Sequence, residues 1–172
     1  MSDSQSRRHF IVNSASTAAA IASASALVAC GGSSTTPSEF RYGVASGDPL
    51  ADRVILWTHA KIPNSSQPVG LTWQISADAA FAVVIKSGRV TASPDAANTA
   101  KVDVTGLTAG TSYFYRFVDD AGVASPTGTT RTLPATDVSS VKLAVFSCAL
   151  FSEGYFNAYD AASKSDAQYA IH

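Results

Sequence analysis

Phe40-Arg41-Tyr42-Gly43-Val44-Ala45-Ser46-Gly47-Asp48-Pro49-Leu50-Ala51-Asp52-Arg53-Val54-Ile55-Leu56-Trp57-Thr58-His59 is the stretch on which the fold turns. Phe40, Tyr42 and Val44 alternate with Arg41, Gly43 and Ala45, the period of a strand with one buried face. Ser46-Gly47-Asp48-Pro49 interrupts it with residue types that suit a turn, and Asp48 is read as a turn residue held by Pro49. Arg53–Thr58 resumes with Val54, Ile55, Leu56 and Trp57, β-rich and mostly apolar. A strand, a tight turn and a second strand predict a β-hairpin at a sheet edge.

Outward from this hairpin the same grammar repeats. Strand-like runs follow at Val69–Ala77, Ala82–Ala92, Ala100–Val104, Thr111–Asp119 and Val123–Leu133, after Phe40–Ala45 and Arg53–Ala60. They are separated by Pro63-Asn64-Ser65-Ser66, Ser93-Pro94-Asp95, Gly106 with Gly110, and Asp119-Asp120-Ala121-Gly122. Seven short strands at this spacing predict an immunoglobulin- or fibronectin-like sandwich. The run Val102–Phe117 resembles the corner of such domains where Tyr113 buries its ring and returns its hydroxyl to the backbone. Tyr113, Tyr115 and Phe117 should share one face, and Phe114, Arg116 and Val118 the other. Trp57 and Trp73 are expected to pack between the sheets. His59 is expected on the surface of its strand.

After the short linker Leu133-Pro134-Ala135-Thr136-Asp137 the composition changes. Val141–Phe146 reads as a short buried strand. Tyr155, Phe156, Tyr159 and Ala162 give Tyr155–Lys164 an amphipathic helical pattern, with Ser152 and Asn157 as competing candidates for its start. Ala167–Ile171 reads as another strand. Strand–helix–strand is the opening unit of an α/β sheet. Ser147-Cys148 sits at the C-terminal end of its first strand, where such sheets place their chemistry. Cys148 can be read as a small buried core thiol or as a soft metal donor.

Two blocks then point to one family. Phe40-Arg41-Tyr42-Gly43-Val44-Ala45-Ser46-Gly47-Asp48-Pro49 with Val54-Ile55-Leu56-Trp57-Thr58 resembles the opening of the mature domain of alkaline phosphatase D-like enzymes. Val145-Phe146-Ser147-Cys148 and Gly154-Tyr155-Phe156-Asn157-Ala158-Tyr159, with Ile171-His172, are similar to the start of that family's metallophosphatase domain. The resemblance implies a parent enzyme that hydrolyses extracellular phosphate esters as a phosphodiesterase/phosphomonoesterase. It implies iron and calcium as cofactors and gives Cys148 the role of an iron ligand. In the family a Gly-Asp pair with a metal-bridging carboxylate would come next, beyond His172.

The N-terminal segment carries two addresses. Ser6-Arg7-Arg8-His9-Phe10-Ile11 resembles a twin-arginine export motif, with Asn13 where the fuller motif often has Lys. Ala15–Ala29 is Ala/Ser-rich and only mildly apolar, like a signal h-region. Leu27-Val28-Ala29-Cys30 resembles a lipobox, in which Cys30 becomes the lipidated first residue of the mature protein. The competing readings are an ordinary positive n-region for Arg7 and Arg8, and an incidental cysteine at position 30. Gly31–Pro37 reads as a flexible tether.

The 172-residue chain has 12 basic and 13 acidic side chains, a net charge of −1, so nucleic acid is not implied as a partner. Without residues 1–29 the charge is −2, from 10 basic and 12 acidic groups. The expected organisation is a signal peptide over 1–29, a tether over 30–38, a β-sandwich over 39–134 and the truncated start of an α/β metallophosphatase domain over 138–172. The three histidines, His9, His59 and His172, form no spaced cluster, and neither Gly-Asp-x-x-Asp nor Gly-Asn-His occurs. Two-metal phosphoester hydrolysis requires several ligands around cations about 3.5–4 Å apart. The chain alone is therefore expected to be inactive. Its expected partners are a phosphate-ester substrate for the parent protein, the twin-arginine translocase and, through a lipid anchor, a membrane at the periplasmic or cell-surface side. The other reading is a lipid-anchored fibronectin-like binding or adhesion lipoprotein.

Overall fold

The computed structural model describes residues 36–148, 152 and 154–172. Seven strands, β1 (Val44–Gly47), β2 (Arg53–His59), β3 (Val69–Ser76), β4 (Val84–Ala92), β5 (Thr99–Thr105), β6 (Ser112–Asp119) and β7 (Gly128–Arg131), form two antiparallel sheets. Their orders are β1-β2-β5 and β4-β3-β6-β7. The strand spacing predicts a seven-strand sandwich, and the structure divides it three on four. A separate parallel pair, β8 (Leu143–Val145) and β9 (Tyr169–Ile171), is joined through α1 (Asn157–Ser163).

The core lies where the inward rows of the two sheets meet. Val54, Leu56 and Thr58 from β2 alternate inward, against Leu71 and Ile75 from β3 and Tyr113, Tyr115 and Phe117 from β6. Phe114, Arg116 and Val118 are half-buried on the other side of β6. The Tyr115 ring lies over Gly128, where a Cβ would come within 2.7 Å of the Tyr115 hydroxyl. A side chain at that position of β7 would displace the ring. Trp73 packs against the core and its indole lies over Gly88 in the same manner.

The tyrosine corner is present. Tyr113 is buried and its hydroxyl accepts the Thr108 N–H at 2.9 Å. Thr132 completes the corner: its hydroxyl accepts the Thr111 N–H at 3.0 Å and donates to the Thr108 carbonyl at 2.7 Å. The end of β7 is thereby tied to the loop before β6.

Four expectations are corrected. The first strand is Val44–Gly47 rather than Phe40–Ala45, because the Gly43 N–H closes a turn on the Phe40 carbonyl at 3.0 Å with Gly43 at φ 66°. Tyr42 consequently points out, 59% exposed, and meets the ring of His59 edge-on at 4.8 Å. The break moves to Asp48, at φ 45° before Pro49. Trp57 does not lie between the sheets: Leu56 and Thr58 take the two adjacent inward positions, so the pleat sends Trp57 to the outer face with Ile55 and His59. His59 is half-buried there, and its Nδ1 is shielded with no hydrogen-bond partner. The last sandwich strand is only Gly128–Arg131. Pro126, which has no N–H to give a ladder, separates it from the lone Val118–Ala124 bridge.

The N-terminal end of the described chain is pinned rather than loose. Ser38 donates to Asp119 Oδ2 twice, from its N–H at 2.8 Å and its hydroxyl at 2.7 Å. The Val123 and Ala121 N–H groups donate to Oδ1 at 2.7 and 3.0 Å. One residue on, Glu39 bridges to Lys61 beyond β2, so the strap crosses from one sheet to the other. Burial alone would push the Asp119 carboxyl up; the hydrogen bonds from Ser38, Val123 and Ala121 outweigh it and hold the group below its ordinary value.

Two measurements probe these joints. Tyr113→Phe leaves the Thr108 N–H without its acceptor, and urea denaturation should report a loss of about 1–3 kcal/mol. Asp119 binds its proton less readily in the folded chain than in the unfolded one. The stability it contributes is present above the ordinary carboxylate range and is lost as pH falls through the lowered value. Thermal denaturation from pH 7 down to pH 3 should therefore show a steeper decline in the wild-type chain than in Asp119→Asn.

Candidate functional site

Cys148 lies just past β8, and His172 just past β9. Because the strands are parallel and in register, Leu143 with Tyr169 and Val145 with Ile171, both residues reach the same end of the pair. The Phe146 N–H continues the ladder to the Ile171 carbonyl at 2.9 Å. That end is ordered by rings: Phe146 stacks on Tyr159 of α1 at 4.5 Å, and His172 lies beside both, at 6.5 Å from Phe146 and 6.1 Å from Tyr159. The helix supplies Tyr159 to this stack, as its amphipathic pattern predicts.

Helix α1 starts later than the pattern suggests. Of the two candidates for its start, Asn157 is the first helical residue; Phe156, at φ 54°, occupies the N-cap position and no side chain caps the helix there. Tyr155 falls before the helix and is 92% exposed. The turn at Gly154, with φ 97°, and the left-handed Phe156 redirect the chain before the helical period begins.

Among the described residues Cys148 is a free, exposed thiol. Its backbone is left-handed, at φ 55°, a conformation that costs a residue with a Cβ roughly 1–2 kcal/mol. The Ser147 hydroxyl donates to its Sγ at 3.5 Å. Such outliers accumulate at sites where a side chain must be aimed. Among the described residues no three His, Cys, Asp or Glu side chains come together to hold a metal ion. His172 shares the edge with Cys148, but its ring is engaged in the aromatic stack. Of the described acidic residues in this unit, Asp160 pairs with Lys164 along α1, and Asp166 pairs with Lys142, both just before the strands and so at the opposite end. Arg7, Arg8 and Cys30 lie outside the described residues, and among the described residues no helix is long and apolar enough to cross a membrane.

Residues 22–134 match the family model for the PhoD-like phosphatase N-terminal domain. The chain belongs to the PhoD-like phosphatase family. It is 34% identical over 143 residues to alkaline phosphatase D of Bacillus subtilis (strain 168), a match covering 77% of this chain and 24% of that protein. A solved structure of PhoD superposes with a TM-score of 0.73 at 34% identity, over 81% of this chain and 28% of that one. A human fibronectin type III domain matches at a TM-score of 0.40 and 14% identity, over 57% of this chain and 88% of that domain. The chain thus spans about a quarter of the PhoD-type proteins it matches.

The geometry around Cys148 makes a direct prediction. Because no three His, Cys, Asp or Glu side chains come together among the described residues, the chain should not retain stoichiometric iron through desalting, as elemental analysis would show. Retained iron that disappears in Cys148→Ser would reveal donors beyond those the described residues bring together.

Proposed function

We propose that the chain is the N-terminal part of an exported metal-dependent phosphoesterase that releases phosphate from extracellular mono- and diesters. The observation that carries this reading is the extent of the PhoD match. At 81% of the chain it is longer than the sandwich of residues 39–134 alone. The sandwich is a scaffold, and the chemistry belongs to the α/β side, at the strand end that bears Cys148.

Iron and calcium fit the family, and the chain's own contribution to such a centre is one exposed thiol aimed by a left-handed backbone. As a thiolate, Cys148 would be one soft donor to iron, with the Ser147 hydroxyl positioned to donate to its sulfur. When bound, such cations polarise the phosphoryl group and lower the pKa of a coordinated water. The remaining donors are not among the described residues, so on this reading those residues do not complete a centre that would orient an ester. Phe146 and Tyr159 hold the strand end rigid beneath the thiol, which is what a metal ligand needs in order to keep its geometry.

Arg7 and Arg8 serve as a twin-arginine export signal in this reading, and Cys30 as the lipid attachment point. The protein is then held at the periplasmic or cell-surface face of a membrane. Export in the folded state suits a protein that acquires its metals before crossing.

The test assays the full chain with p-nitrophenyl phosphate and bis(p-nitrophenyl) phosphate in the presence of iron and calcium. No turnover is expected. The chain continued with the unmatched remainder of the Bacillus subtilis enzyme should hydrolyse these esters, and Cys148→Ser should reduce that rate by at least about 10–100-fold, since even outer-shell changes at metal sites cost that much. Metal-dependent turnover by the 172-residue chain alone would overturn the reading.

A further inference from the structure

The Thr132 carbonyl is left open by its own side chain. Thr132 and Thr111 stand opposite each other, one step beyond the Arg131–Ser112 pair of β7 and β6. The Thr132 N–H donates to the Thr111 carbonyl at 3.1 Å. A hydrogen-bonded antiparallel pair exchanges two such bonds, so the Thr111 N–H would ordinarily return one to the Thr132 carbonyl. Here it donates to the Thr132 hydroxyl instead, at 3.0 Å. Thr132 is fully buried, and a buried carbonyl without a donor is destabilising. The donor arrives from 37 residues downstream: it is the Tyr169 hydroxyl, at 3.2 Å.

The acceptor is fixed to both sheets. The next residue, Leu133, donates its N–H to the Leu50 carbonyl, between β1 and β2, at 3.0 Å, and accepts the Gly110 N–H, just before β6, at 2.9 Å. Residues 135–142, which follow, are exposed and outside helix and strand, so the connection itself does not set how the α/β unit is turned. Tyr169 opens β9 and stands in register with Leu143, which opens β8. A bond that holds Tyr169 therefore holds the near end of both strands. Cys148 and His172 lie just past the far ends.

We infer that Tyr169 is a positioning residue for phosphoester hydrolysis: its hydroxyl, on the carbonyl that Thr132 sets free, fixes the direction in which the strand pair presents Cys148. The catalytic consequence rests on the phosphatase reading. Tyr169 stands at the opposite end of the pair from Cys148, so it acts through the strands and not on a substrate. The net contribution of one such hydrogen bond corresponds to about a 2–10-fold change in the ratio of docked to undocked orientations.

The first test reads orientation without any reaction. With Cys30 and Cys148 replaced by Ser, Val145→Cys on β8 and Lys101→Cys on the outer face of β5, both exposed positions, carry nitroxide labels in the full chain. Double electron–electron resonance then gives the spread of distances between them. One narrow distribution is expected. Tyr169→Phe keeps the ring and removes the hydroxyl, and should raise the share of other distances relative to the main peak about 2–10-fold. Thr132→Val acts from the acceptor side, because the Thr111 N–H then takes the carbonyl, and should give the same redistribution. The two changes combined should do no more than either alone, since they remove one contact. Should Thr132→Val fail to fold, Tyr169→Phe alone decides. An unchanged distribution in Tyr169→Phe overturns the inference, as does a distribution that is already broad before substitution.

The second test is kinetic, in the chain continued with the unmatched remainder of the Bacillus subtilis enzyme and with both cysteines native. If Tyr169 sets the competent fraction, Tyr169→Phe should lower kcat for p-nitrophenyl phosphate by up to about tenfold and leave KM unchanged. An unmoved kcat in an active continued chain, or a loss confined to KM, overturns the positioning role. If the labels redistribute as expected but the continued, unsubstituted chain has no esterase activity, the phosphatase reading falls and the docking of the strand pair by Tyr169 stands.

Discussion

Burial of the inward row of β6 is the constraint around which the sandwich is arranged. Tyr113, Tyr115 and Phe117 fill the space between the sheets, and large rings have to be accommodated by what surrounds them. Gly128 supplies no side chain beneath Tyr115. Burial pushes the Tyr115 phenol up to about 12, even with a hydrogen bond to Ser46 of the opposite sheet that lowers it, so the hydroxyl stays protonated in that contact. Tyr113 carries its hydroxyl out of the core to the Thr108 amide. Apolar area between the sheets drives the association, and the few polar atoms taken in with the rings have partners.

The same economy governs the ends of the sandwich. Asp119 is a buried carboxylate, and such a group persists only when hydrogen bonds replace its water. Four donors surround it, two of them from Ser38, so the strap that leads into β1 is held by the turn that follows β6. At the other end Thr132 links the corner, β7 and, through Tyr169, the α/β unit. The chain therefore enters the sandwich at one end and leaves it at the other, toward the strand pair that carries Cys148.

The α/β unit is built to a different standard. Its helix is seven residues long and lacks a side-chain cap, its strands are three residues each, and its core is little more than the Phe146–Tyr159–His172 stack. Leu143, Val145 and Ile171 on its strands are exposed. A two-stranded parallel pair has too little surface on which to build an independent core, and this unit is tied to the sandwich through the Tyr169 hydroxyl on the Thr132 carbonyl. Among the described residues no three His, Cys, Asp or Glu side chains come together to hold a metal ion; this unit provides two strand ends, and Cys148 follows one of them.

How much could be read without coordinates follows from the range of the physics involved. The seven sandwich strands, the inward row of β6, the tyrosine corner and the strand–helix–strand order after Pro134 were legible, because alternation, turn residues and helical period are local. Cys148 was legible as a site candidate through its place after a strand and its family resemblance. Trp57, Tyr42 and Tyr155 were misplaced or oversimplified, because the direction of a side chain depends on where a turn resets the pleat or delays the helix, and Gly43, Gly154 and Phe156 set that through their backbone conformation. The hold of Asp119 on Ser38, 81 residues away, and the bond of Tyr169 to Thr132 had no local signal at all. From sequence alone, this protein is a PhoD-like sandwich followed by an α/β unit. Only the tertiary structure decides which faces meet and which strand face is left open, because contacts between residues distant in sequence are selected by packing and not by the pattern of any one segment.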